Sequence, residues 1–197
     1  MVSLNQAFKI IASMYRTLNR QIVELDDQIE ELETIIYAPV TGDLSRVISS
    51  KTTKTGKTNS KVALFSKLDK FVEMRTFKRD ITDEIERLVS LSQQYIRPYI
   101  WEVYLNGGFI PKVADKIGMS ESKFKHNLND EINECIVPEC QRLYELCLKD
   151  RYTAATFKKK ADTDLVKIIR FYENKKKEKK EEHNVKEEKP QQKKGTE

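Results

Sequence analysis

The sequence predicts an all-α protein: a long antiparallel helical hairpin (a coiled coil), then a helix-turn-helix, then a helical and partly disordered C-terminal extension. Three observations predict it. Apolar side chains near the start follow one unbroken four-three spacing. Only 6 glycines and 5 prolines interrupt 197 residues. Few segments alternate apolar and polar residues with period two, so little in the chain reads as strand. The same scarcity of glycine argues against a glycine-looped α/β nucleotide enzyme.

The first helix carries Leu4, Phe8, Ile11, Tyr15, Leu18, Ile22, Leu25, Ile29, Leu32 and Ile36 at alternating steps of four and three. That is a heptad seam on one continuous helix, expected over residues 4 to 37. Pro39 ends it, because a residue before proline is pushed out of helical backbone angles. A parallel homodimer along this seam would set Gln21 against Asp26 and Gln28 against Glu33. It would also bring two copies of an acidic run together, with Glu24, Asp26, Asp27, Glu30, Glu31 and Glu33 and no base among them. A second helix over 62 to 91 is the favoured partner. Its stripe holds Leu64, Leu68, Phe71, Ile81, Ile85 and Leu88, joined by Phe65 and Val72. Folded back antiparallel, it would bring Lys61, Lys67 and Lys70 to the acidic end of the first helix. The first domain is therefore expected at 1–91.

Between these helices, residues 38–61 lack helical periodicity and are expected to form a basic flexible loop. From Arg46 to Lys61 it carries Arg46, Lys51, Lys54, Lys57 and Lys61 with no acid. Lys51, Lys54 and Lys57 are candidates for non-specific contact with DNA phosphates; a solvated linker would look the same. The loop contains Gly56-Lys57-Thr58, but Lys51 stands where a phosphate-binding P-loop needs its first glycine.

Residues 92–136 read as a helix-turn-helix domain. Pro98 fits the first turn of a helix that includes Tyr99, Ile100, Val103 and Tyr104, and Asn106-Gly107-Gly108 stops it. A short amphipathic run follows with Val113, Ala114 and Ile117. Gly118 and Met119 make a tight turn, and Ser120 is a good N-cap for the next helix. That helix, expected over 120–135, buries Phe124, Leu128, Ile132 and Cys135. Opposite them, Ser122, His126, Asn129 and Asn133 point outward as candidate base-reading residues. Lys123 and Lys125 flank this row, and Lys112 lies on the preceding helix; these three are candidates for phosphate contact. Asp130, Glu131 and Glu134 would repel DNA, so contacts should concentrate in the first two turns. An ordinary helical hairpin with a polar surface is the alternative.

The stretch Tyr99 to Ile136, YIWEVYLNGGFIPKVADKIGMSESKFKHNLNDEINECI, resembles sigma factor region 4. It looks most like the version in small phage transcription regulators of the ArpU/RinA type. Those proteins share a similar plan, here covering residues 15 to 136: coiled-coil segment, polar loop, second helix, then this module. The resemblance implies a phage or prophage protein that activates late genes by binding double-stranded promoter DNA. RNA polymerase and a second copy of the chain are candidate further partners. Two departures stand out. The recognition helix is less basic than the family pattern, and residues 137–197 extend past its usual end. A DNA-packaging adaptor akin to a small terminase subunit, and a coiled-coil scaffold without DNA binding, are the competing readings.

The extension divides into a helical part, 137–173, and a Lys/Glu-rich tail, 174–197, expected to be disordered. Asp162 or Thr163 would cap its last helix, which carries Leu165, Ile168, Ile169 and Tyr172. The formal net charge of +5 sits in the loop and in this extension, not in the helix-turn-helix. Cys135, Cys140 and Cys147 are an odd number with no zinc spacing, and read as thiols in a reducing compartment. No cofactor, metal or catalytic residue is expected: His126 and His183 are the only histidines, and no nucleophile has an evident base. With no apolar run of membrane-spanning length, the expected location is the cytoplasm of a bacterial host cell, without a membrane partner.

Overall fold

The computed structural model describes residues 2–38 and 57–188, and these are helical with no strand. The helices are α1 (Leu4–Ala12), α2 (Tyr15–Tyr37), α3 (Lys57–Ser90), α4 (Arg97–Ile100), α5 (Ile110–Lys116), α6 (Glu121–Glu131), α7 (Gln141–Lys149), α8 (Arg151–Ala161) and α9 (Leu165–Glu188). Two of them continue as π turns, α4 through Trp101–Leu105 and α6 through Ile132–Ile136. The chain divides into two compact units: a hairpin unit, Tyr15–Asp83, and a larger unit made of Met1–Met14 and Glu84–Glu197.

In the hairpin unit, Ile29, Leu32 and Ile36 of α2 pack on Leu68 of α3, with Leu64, Phe71 and Val72 against them. The Tyr37 ring meets the Phe65 ring edge-on at 6.4 Å, and Asp26 meets Arg75 at 3.0 Å. Residue numbers rise along one helix as they fall along the other, which is antiparallel order within one chain. The cations on the acidic segment are Arg75 and Arg79, both paired with Asp26, rather than Lys61, Lys67 and Lys70. Lys67 lies over the Phe71 ring instead. The Arg75 hydrogen bond, with Arg79 beside it, holds the Asp26 carboxyl below its ordinary 3.8. Such exposed pairs are worth about 0–1 kcal/mol each, so the apolar seam dominates. Helix α3 begins at Lys57, earlier than the 62 expected from periodicity.

The first helix is not continuous. It breaks at Ser13 and Met14, where the Ser13 hydroxyl donates to the Ile10 carbonyl at 2.7 Å and the Met14 amide donates to Ile11. Leu4, Phe8 and Ile11 therefore leave the coiled-coil seam for the larger unit, and the first domain expected at 1–91 splits between two units. The four-three register runs through the break without a skipped residue, so periodicity could not mark it. What differs is the width of the buried face. Ala7, Phe8, Ile11 and Ala12 are all fully buried, a wider stripe than a two-helix seam needs.

In the larger unit, α1 packs among the π turn that continues α4, the turn at 137–139, and helices α8 and α9. Its core holds Phe8, Ile85, Leu88, Ile100, Phe124, Leu128, Tyr144 and Phe157. The Tyr144 hydroxyl donates to the Leu4 carbonyl at 3.1 Å, so burial of its polar tip is satisfied. Buried Glu84 accepts two hydrogen bonds from Arg87, at 2.7 and 3.0 Å, and lies 3.7 Å from Arg142. Residues 137–173 thus belong to the core of this unit and are not an appendage to it. Asp150 caps α8 by accepting the Thr153 amide. Asp162, at φ +47°, ends α8 in the left-handed region, and the Lys167 and Ile168 amides of α9 donate to the Asp164 carbonyl. The last helix thus starts at Leu165, with Asp164 rather than Asp162 or Thr163 directly before it. Helix α9 runs on to Glu188, past Asn174, where its apolar face ends; residues 189–197 lie outside the described residues.

Candidate functional site

Helices α5 and α6 and the turn between them build the site. Val113 and Ala114 of α5 are buried, and the small Ala114 side chain allows close approach to α6. The Ile117 and Met119 amides donate to the Ala114 carbonyl, and the Gly118 amide to Asp115. Gly118 has φ +66°, a left-handed angle that any β-carbon penalises. Gly118→Ala is expected to destabilise the larger unit by about 1–2 kcal/mol, read as a lowered denaturant midpoint. An unchanged midpoint would mean that the turn relaxes to another geometry. Ser120 is extended, and its hydroxyl accepts the Lys123 amide at 3.4 Å, capping α6.

The inner face of α6 is fixed by Phe124, whose ring meets Tyr99 edge-on at 5.8 Å, and by fully buried Leu128. The outer face begins with Ser122, Lys123, Lys125 and His126, all exposed. Lys125 pairs with Glu121 one turn back, and His126 with Asp130, at 3.1 Å, one turn on. Lys112 is exposed on α5.

Asn129 and Asn133 stand elsewhere. The Asn5 side-chain amide of α1 donates to the Asn129 carbonyl at 3.2 Å and to Asn133 Oδ1 at 2.9 Å. Lys9 Nζ donates to Asn129 Oδ1 and lies 5.5 Å from the centre of the Tyr104 ring. Burial lowers the Lys9 ammonium from its ordinary 10.5 and pushes the Tyr104 hydroxyl up to about 12. The outward row expected from the helical wheel thus divides. Ser122 and His126 face solvent without a tie to α1; Asn129 is half-buried against α1, and Asn133 remains exposed while it accepts from Asn5. Glu131, expected outside as a repulsive charge, is buried and accepts the Gln93 amide at 2.6 Å. Asn5 and Lys9 were not candidates in the sequence. They sit one turn apart beside the apolar stripe of α1, but nothing local shows that their partners lie more than a hundred positions away.

Lys51 and Lys54 lie outside the described residues, and Lys57 is the first residue of α3. The three cysteines are free, with Cys140 and Cys147 fully buried. Among the described residues no group of three or more His, Cys, Asp or Glu side chains could hold a metal ion. Among them, too, no helix is long and apolar enough to cross a membrane. The chain matches no family model, no curated protein and no solved structure.

Proposed function

We propose that this protein is a sequence-specific DNA-binding transcription regulator that lays the first two turns of α6 in the major groove. One observation carries the reading. A serine-capped helix after a tight glycine turn presents Ser122, Lys123, Lys125 and His126 to solvent, while Glu131 of the same helix is turned into the core. Short hydrogen-bonding side chains in the middle of a face, with lysines beside them, match base edges flanked by phosphates. On this reading Ser122 and His126 read bases, and Lys123, Lys125 and Lys112 hold phosphates. Asn129 and Asn133 both hydrogen-bond α1 and lie beyond the two turns assigned to DNA. Promoters of phage or prophage late genes are the targets implied by the resemblance of residues 99–136 to sigma factor region 4. The cytoplasm of the bacterial host is the matching location.

Gel shifts over a library of genomic fragments test the reading. A preferred fragment is expected. Lys123→Ala should weaken binding to all fragments and lower the slope of log affinity against log salt by about one. His126→Ala should instead reduce the preference among fragments. If the protein retards no fragment at low salt, or retards all equally, sequence-specific regulation is wrong.

A further inference from the structure

Three helical segments of the larger unit each turn a pair of side chains, four residues apart, into one cleft. Asn5 and Lys9 come from α1, Asn129 and Asn133 from α6 and its π turn, and Phe171 and Lys175 from α9. Residues four apart lie one above the other on a helix. The cleft has a volume of about 800 Å³, and Gln6 also borders it. No carboxylate is among its lining residues. We propose that this cleft binds a nucleoside phosphate.

Each part of that ligand has a counterpart. The two lysines supply positive charge with no acid to neutralise it, which suits a phosphate. Burial desolvates the Lys9 ammonium, and an anion beside it would relieve that cost. The Asn5 amide nitrogen and the Asn129 and Asn133 oxygens are engaged within the cleft, which leaves the Asn5 oxygen, the Asn129 and Asn133 NH2 groups and the Gln6 amide to face a base edge. Phe171 is 40% exposed, and an aromatic face left open at a cleft rim is a stacking surface for a base. The groove is open to solvent along one side and has room for a ligand of nucleotide size. A free nucleotide and one nucleotide of a single strand share this chemistry. Paired bases in a duplex do not offer a free face for stacking. The assignment uses the far end of α6 and stands apart from the duplex-reading surface on its first two turns.

Calorimetry on the full chain, with ¹H–¹⁵N spectra of the Asn5, Gln6, Asn129 and Asn133 side-chain amides, tests it. The probes are adenosine and guanosine monophosphate, adenosine, inorganic phosphate, an oligothymidine single strand and a DNA duplex. At least one monophosphate or the single strand is expected to move these amide signals. It should bind about tenfold or more tighter than adenosine or inorganic phosphate. Phe171→Ala and Lys175→Gln, both at exposed positions, should each weaken that binding about tenfold. Tighter binding of the strand than of either monophosphate, with the same losses, identifies the source as a strand; the reverse identifies a free nucleotide. The proposal is overturned if no probe moves the amides. It is equally overturned if inorganic phosphate binds as tightly as the monophosphates and Phe171→Ala changes nothing. Lys123→Ala should leave nucleotide binding intact, so failure of duplex recognition and failure of the cleft are told apart.

Discussion

Phe8→Ala is expected to destabilise the larger unit by about 3–5 kcal/mol, a large share of the stability of an ordinary domain. Phe8 is fully buried, and α1 packs with helices from the far end of the chain. A cavity there cannot be closed by sliding a coiled-coil partner. Trp101 is the single tryptophan and lies in the larger unit, so its fluorescence reports this loss in a denaturant titration. Leu32→Ala is the matching control, because Leu32 belongs to the hairpin cluster. It should lower helicity in the hairpin and leave the Trp101 transition in place. If Phe8→Ala spares the Trp101 transition, α1 is part of the hairpin seam and its placement in the larger core is wrong.

Raising the pH from 9 to 12 is expected to remove on the order of 3 kcal/mol from the larger unit through Cys140 alone. Burial pushes the Cys140 thiol from its ordinary 9.0 up to about 12. Burial also pushes Cys147 and Tyr144 well above their ordinary values, and Tyr104 from 10.0 to about 12. A group whose pKa is raised in the fold keeps its proton there, while the unfolded chain gives it up. The associated stability is therefore full below the unfolded value of about 9 for a thiol. It is lost as pH rises through the folded one. Denaturant midpoints measured at steps from pH 8 to 12 should fall from pH 9 in the wild type. In a variant with Cys135, Cys140 and Cys147 all changed to alanine, the fall should begin near pH 10, where the tyrosines take over. An unchanged onset in that variant would show that thiol burial is not the cause. The same burial keeps the Cys140 and Cys147 thiols from reacting near neutral pH, since the thiolate is the reactive form.

Much of the local order was legible because it rests on short-range rules. Ser120 caps a helix because its hydroxyl can reach an amide three residues on, and Gly118 turns because it lacks a β-carbon. The inward set of α6, Phe124, Leu128 and Ile132, follows from helical spacing alone. The all-α class and the antiparallel meeting of α2 with α3 rest on the same periodicity. Choice among equivalent surfaces was not legible. The heptad stripe from Leu4 to Ile36 offers one apolar face throughout, and periodicity does not name what covers it. The larger unit takes Leu4, Phe8 and Ile11, and the hairpin takes the rest, because a break of two residues at Ser13 and Met14 changes partners without changing register.

The polar face behaves likewise. By spacing, Ser122, His126, Asn129 and Asn133 form one outward row and Glu131 lies near it. Only the tertiary structure decides that Asn5 and Lys9 hydrogen-bond the two asparagines and that Glu131 turns in to accept the Gln93 amide. The sequence by itself determined which sides of the helices are apolar and how α6 is capped and the turn before it made, since those depend on neighbours within about four residues. Which polar groups face a ligand was decided by contacts between residues 38 to 128 positions apart. A buried amide or carboxylate must find a partner wherever the fold brings one, and no local pattern encodes that partner.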